Sequence, residues 1–290
     1  MTAPEEPSPS RPLLVAAYDT EAPGACLEAC RRIARVHRDR GIPATFFIVG
    51  HLLEDDGPAF KELLDEPGLF EIASHTYRHK LLRDHPVCGP AAGAEEIHEE
   101  LVRGKELVEA CFGRPCLGLR PGCGFDVGLR GAPDVLAEVA AAGFRYVSSQ
   151  AWGPFTTLPA PLEQAYTYEA DGYGELWELP AHGWHENVLK GHNATPGRLL
   201  LWPPLYPDAL QGGYVKTPQE EFQVHRFFVD RAIDDALEYV SLIWHPWSLH
   251  RFDPSMAMLD LVFDHADRRG MTFARFEDLW RRKAAPQATG

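Results

Sequence analysis

Short apolar runs alternate with amphipathic stretches along most of this chain, and the two periods predict strands and helices in turn. Leu13–Tyr18 is an apolar run ending at Asp19, the pattern of a buried strand. Cys26–Arg40 carries Leu27, Ile33, Ala34 and Val36 on one face and stops at Gly41, which predicts a helix. Pro43–Gly50 is rich in β-formers and predicts the clearest strand, with a short helix expected at Ala59–Leu64 and a third strand at Leu69–Ala73. A helix over Glu95–Cys111, a strand at Cys116–Leu119, a helix at Pro133–Ala142 and a strand at Phe144–Ser148 follow.

The rhythm then breaks. Residues 150–216 are dense in Pro, Gly, Trp and Tyr, with one strand-like piece at Glu175–Leu179. A segment of that length with little period reads as a functional loop system inserted in the domain. Regular pattern resumes at Thr217-Pro218-Gln219-Glu220, an N-cap, a proline at the first helical position and a capping-box glutamate. A strand at Glu238–Trp244, a helix at Met256–Arg269, a short strand at Thr272–Ala274 and a helix at Phe276–Arg282 complete the series. The expected organisation is a flexible tail over 1–11, one α/β domain over 12–283 and a second tail over 284–290.

Alternation of this kind implies a parallel sheet, open or closed, with chemistry collected at the C-terminal ends of the strands. That rule selects Asp19 and Glu21, His75 and His79, Arg120, and His245. His75 and His79 stand four residues apart, so on a helical turn both would reach one metal ion. A carboxylate from Tyr18-Asp19-Thr20-Glu21 would complete a two-histidine-plus-carboxylate set, leaving the other as a base. The bland alternatives are a capping turn and surface histidines. Gly118-Leu119-Arg120-Pro121-Gly122-Cys123-Gly124 is a strand followed by a glycine-rich turn. Its arginine suits a carboxylate and its N–H groups suit an oxyanion, whereas the Gly-Lys-Ser/Thr end of a phosphate loop is missing. His245 ends an apolar strand between tryptophans, where a histidine is more often a satisfied core residue.

Composition narrows the partners. A formal net charge of −14 argues against nucleic acid and against an anionic membrane surface. No apolar run is long enough for a transmembrane helix. The N-terminus lacks the basic and apolar regions of a signal peptide, so a cytoplasmic location is expected, with the six cysteines as reduced thiols.

In their order, these motifs resemble the polysaccharide deacetylase family, the NodB-homology domains of carbohydrate esterase family 4. The similar elements are Asp19/Glu21, His75-Thr76-x-x-His79, Arg120-Pro121 and Leu242-x-x-His245. The resemblance implies a distorted (β/α) barrel of about seven strands and one divalent metal, most often zinc, with cobalt, nickel or manganese as alternatives. It implies hydrolysis of an N-acetyl or other acyl group on an amino sugar or related small amide. By this analogy Asp19 is the base, Arg120 orients it, Glu21, His75 and His79 hold the metal, and His245 is the acid. The reverse assignment of Asp19 and Glu21 stays open. Gly122 and Cys123 would face the oxyanion, Leu242 the acyl methyl, and His182 and Trp184 the substrate pocket. The chain departs from the family in its acid-x-acid spacing. Its fourth motif has only Trp177-Glu178-Leu179-Pro180 as a counterpart, which leaves the partner of His245 open. The alternatives are hydrolysis of a cyclic amide on the same scaffold, with or without a metal, and a silent sugar-binding domain. A homo-oligomer is compatible with either.

Overall fold

The computed structural model describes residues 11–156, 158–183 and 217–285. Strand β1 (Leu13–Thr20) is buried along its whole length, and the helix and strand that follow it are α1 (Cys26–Arg40) and β2 (Ala44–Ile48). Then come α2 (Gly50–Leu64), β3 (Phe70–Ser74), α3 (Ala94–Phe112), β4 (Gly118–Leu119), α4 (Pro133–Ala141) and β5 (Tyr146–Val147). A hairpin of β6 (Tyr166–Tyr168) and β7 (Tyr173–Glu178) follows. The last part holds α5 (Pro218–Asp234), β8 (Tyr239–Trp244), α6 (Pro246–Phe252), α7 (Ala257–Arg268), β9 (Thr272–Ala274) and α8 (Phe276–Ala284).

The strands run β6-β7-β5-β4-β3-β2-β1-β8, all parallel except the β6–β7 pair, with β9 added beside the start of β1. Among the described residues, the chain beyond β7 then meets β8 through one parallel bridge, His182 with Leu242. Seven strands therefore close into a ring, and the expected distorted barrel is what forms. The seam is held by the His182 backbone, whose N–H donates to the Ser241 carbonyl at 2.9 Å.

Alternation along β1 explains the interior. Leu13, Val15 and Ala17 join Phe47, Ala73, Tyr146, Leu179 and Tyr239 in one cluster, the lumen of the barrel. Leu14, Ala16 and Tyr18 face the other way, into the larger cluster beneath the helices. Asp19 continues the lumen series by the two-residue period. Phe276 and Leu279 of α8 belong to the lumen cluster and close it at one end.

Three elements differ from the sequence expectation. Helix α2 begins at Gly50 rather than Ala59, because Pro58 is absorbed inside it and the Gly50 N–H has a partner outside the helix in the Thr76 carbonyl, at 2.8 Å. Helix α6 was not anticipated, although Pro246 at its first position is a start signal. The insertion contains β6 and β7 and two 3₁₀ turns, so its described part is more regular than its composition suggests.

Glu71 of β3 is a buried carboxyl inside the barrel. It accepts from Tyr146 Oη at 2.5 Å, Thr45 Oγ1 at 2.8 Å and the Glu277 N–H at 2.8 Å. Burial outweighs these bonds and pushes its pKa up to about 7, from an ordinary 4.5. Between those values the unfolded chain has released this proton while the folded chain keeps it. Stability from this group is thus full below pH 4.5 and is lost as pH rises through about 7. The loss is roughly 3 kcal/mol at 1.36 kcal/mol per unit. Glu71→Gln should remove that slope, so urea denaturation of both proteins between pH 4 and pH 8, on the order of one point per unit, should show the curves converging at one end. Parallel curves would refute the assignment.

Candidate active site

The strand register brings the candidate residues to one level. Thr20 lies beside Ile48, Ile48 beside Ser74, and Ser74 beside Leu119. The residues immediately beyond this row are Glu21, His75 and Arg120, so three remote motifs leave the barrel together.

Asp19 and Arg120 form the innermost part. Arg120 Nη1 donates to Asp19 Oδ1 at 2.7 Å, and Nη2 donates to Ser148 Oγ at 2.9 Å. The guanidinium lies over the Phe47 ring, 4.1 Å from its centroid, and both charged side chains are buried. Burial acts to raise the Asp19 pKa, but Arg120, His75 and His245 together outweigh it and hold the carboxyl below its ordinary value. Asp19 Oδ2 is left 4.0 Å from His75 Nε2.

Glu21, His75 and His79 converge just above. Glu21 Oε2 lies 3.1 Å from His79 Nε2 and 3.7 Å from His75 Nε2. The candidate ligand atoms are all within 4.8 Å of one another. His75 Nδ1 donates to the Arg120 carbonyl at 2.7 Å, which fixes the ring and leaves Nε2 as a bare acceptor. That Nε2 atom is buried with no hydrogen-bond partner. An orphaned imidazole nitrogen facing a second imidazole and a carboxylate fits a divalent ion of the zinc type. Burial opposes ionisation of Glu21, yet His245, His75 and His79 hold its carboxyl well below the usual range. His79 is raised despite its burial because Glu21 and Asp19 face it.

The histidines do not lie on a helical turn, as their spacing suggested. Residues 75–79 form a loop in which Thr76 and His79 both have φ of 64°. Its shape is imposed from outside. The Thr76 and Tyr77 carbonyls accept from the N–H groups of Gly50 and His51, at 2.8 Å each. Glu100 of α3 accepts from the Arg78 N–H at 2.8 Å, and Thr76 Oγ1 accepts from the His79 N–H at 3.1 Å. Gly104 completes the clamp, since a Cβ there would stand 2.6 Å from the Thr76 carbonyl carbon. Glu100 and Gly104 were not singled out from the sequence. Nothing in a helix's own pattern marks a residue that serves the loop beside it.

The remaining expectations divide. His245 ends β8 as the N-cap of α6, close enough to Asp19 and Glu21 to stabilise both their charges. Gly122 lies against His79: a Cβ would meet the His79 carbonyl oxygen at 3.0 Å and its ring at 3.2 Å, so a side chain there would push His79 aside by a few tenths of an ångström. Leu242 has no exposed surface and lies in the core cluster. His182 stands at the barrel seam. It is buried, Nδ1 accepts from the Ser241 N–H at 3.0 Å and Nε2 donates to the Glu163 carbonyl at 2.6 Å. Burial lowers its pKa to about 4, so it is a neutral barrel-seam residue. Trp184 lies outside the described residues. Glu178 accepts from Ser149 Oγ at 2.6 Å, from the backbone N–H groups of Ser149 and Gln150, and from Tyr168 Oη, which ties it to the barrel wall.

The cysteines require another correction. Cys88 and Cys123 are joined in a disulfide, while Cys26, Cys30, Cys111 and Cys116 are free. The bridge ties the turn beside His79 to the 85–89 loop, across a sequence separation of 35 that spacing alone does not reveal. Alkylation under denaturing, non-reducing conditions should therefore label four cysteines, and reduction should release all six. Six labelled without reductant, read by mass spectrometry, would remove the bridge.

Comparison with known proteins follows the same lines. Residues 9–147 match the polysaccharide deacetylase family. No curated protein matches the sequence. A crystal structure from Mycobacterium smegmatis, assigned as a polysaccharide deacetylase, is 18% identical with a TM-score of 0.65, covering 99% of this chain and 96% of that one. PuuE allantoinase is 14% identical with a TM-score of 0.66, covering 100% and 96%. A family 4 acetyl xylan esterase from Clostridium thermocellum, solved with a cobalt ion, is 12% identical with a TM-score of 0.51, covering 94% and 93%.

Proposed function

We propose, from the match of residues 9–147 to the polysaccharide deacetylase family, a metal-dependent hydrolase that removes an N-acetyl or related acyl group from an amino sugar or similar small amide. The observation that carries this reading is the convergence of Glu21, His75 and His79 beside the Asp19–Arg120 pair.

In this reading Glu21, His75 and His79 hold one divalent ion, zinc by donor type, with cobalt, nickel or manganese as substitutes. The ion supplies a Lewis acid that brings the pKa of a water to roughly 7 and polarises the acyl carbonyl. Asp19 takes the proton of the attacking water. Its Oδ1 is committed to Arg120, so Oδ2 is the atom that receives the proton. Ionised at neutral pH, Asp19 is in the right state to act as a base. Arg120 is a positioning residue, because it touches Asp19 rather than substrate. The backbone N–H of the Gly122–Cys123 turn supplies a donor to the developing oxyanion. His245 returns a proton to the departing nitrogen, without which an amide cannot release its amine.

The substrate is a small acylated molecule, in keeping with the acidic chain, and nucleic acid is disfavoured. Among the described residues no helix is long and apolar enough to cross a membrane. The Cys88–Cys123 bridge withdraws the thiol argument for a cytoplasmic location. A second reading, hydrolysis of a cyclic amide, is favoured by the full-length likeness to an allantoinase. The same base, ion and acid would open the ring, without release of acetate.

The test is metal analysis of wild type beside His79→Ala, with mass spectrometry of N-acetyl amino sugars and cyclic amides as substrates. Metal in wild type, its loss in the variant and acetate release support the first reading. Ring opening alone selects the second. No metal and no product after zinc or cobalt reconstitution overturns both. His245→Ala should retain the metal and lose about 10²–10⁴-fold in turnover.

A further inference from the structure

We propose that Trp247 is a positioning residue for the metal site, acting through Glu21; this rests on the reading of Glu21 as a ligand. The indole Nε1 donates to Glu21 Oε1 at 3.1 Å. The other oxygen, Oε2, is the one that faces His79 and His75. The two oxygens of one carboxylate thus have different work. Oε1 is anchored to a rigid ring, and Oε2 is turned toward the two imidazoles.

The need for an anchor follows from where Glu21 stands. It lies one residue past the end of β1, so no ladder hydrogen bond of the barrel fixes it. Its side chain has three rotatable bonds, and holding it in one rotamer costs entropy on binding an ion. His75 has its anchor in the Arg120 carbonyl, and Gly122 confines His79. Trp247 completes the set for the third ligand. An N–H donated to a carboxylate is charge-assisted, and its direction leaves only Oε2 pointing inward.

The anchor arrives with the acid. Trp247 is the second residue of α6, two positions beyond His245, and Pro246 between them sets the start of that helix. One turn of chain therefore delivers the proposed proton donor and the residue that aims a ligand.

The experiment measures zinc affinity of the full chain by competition with a chromophoric chelator, and the visible absorption of the cobalt form. Trp247→Phe keeps an aromatic ring and removes the N–H. Affinity should fall about 10–100-fold, as for other residues that orient metal ligands. The cobalt bands should shift, because the carboxylate's mode of coordination changes, while the melting temperature of the metal-free protein stays near wild type. Should Trp247→Phe fail to fold, 3-benzothienylalanine at the same position replaces N–H by sulfur with the ring outline kept, and the same loss is expected. Affinity within about twofold of wild type, with unchanged cobalt bands, overturns the role of Trp247 alone. A wild-type chain that takes up neither zinc nor cobalt overturns the ligand assignment of Glu21 itself, and Trp247 with it.

Discussion

A full ion pair sits inside a barrel that is otherwise filled with Val15, Ala17, Phe47 and Ala73, and the architecture around the site follows from accommodating it. Neither Asp19 nor Arg120 could be buried alone, since an isolated charge in such surroundings costs several kcal/mol. Paired, they still leave donors to satisfy. Ser148 takes one guanidinium nitrogen and the face of Phe47 takes the cation, so β1, β2 and the residues just past β4 and β5 all converge on one contact. The level where the pair lies is also where the loops bearing Glu21 and His75 begin.

Precision above the pair comes from groups outside the site. The 75–79 loop takes left-handed backbone at two non-glycine residues, each costing of order 1 kcal/mol or more. Glu100, Gly104, Gly50 and His51 offset that cost by clamping its peptides. The two histidine rings end 4.7 Å apart, a distance set by α2 and α3 as much as by their spacing in the chain. The disulfide between Cys88 and Cys123 holds the opposite wall, and Gly122 carries that constraint to His79.

This division explains what could be read in advance. Strand–helix alternation and polar residues at strand ends are local signals, and they locate Asp19, Glu21, His75, His79, Arg120 and His245 at one rim. The barrel closure was legible only through family resemblance, because among the described residues one bridge at His182 makes the seam and no period marks it. His182 itself looked like a ligand-facing histidine. What separates it from His75 is a single nitrogen: both rings donate once to a backbone carbonyl, but the second nitrogen of His182 is met by the Ser241 N–H, while that of His75 has no hydrogen-bond partner and faces two carboxylates. Sequence shows the ring and not the partner. The same holds for Trp247, whose neighbour Glu21 is more than two hundred residues away.

Glu71 and Asp19 make the comparison sharper still, as two buried carboxyls within one barrel. Both meet the same penalty of desolvation. Glu71 has hydroxyl and peptide donors but no cation, and it is held near neutrality at about 7. Asp19 has Arg120 at 2.7 Å with two histidines nearby, and it stays ionised. The difference decides which of them can be a base at neutral pH. It also distinguishes the two levels of the barrel: the level near α8 holds a carboxyl that keeps its proton up to about pH 7, and the level of the Asp19–Arg120 pair holds one that is ionised.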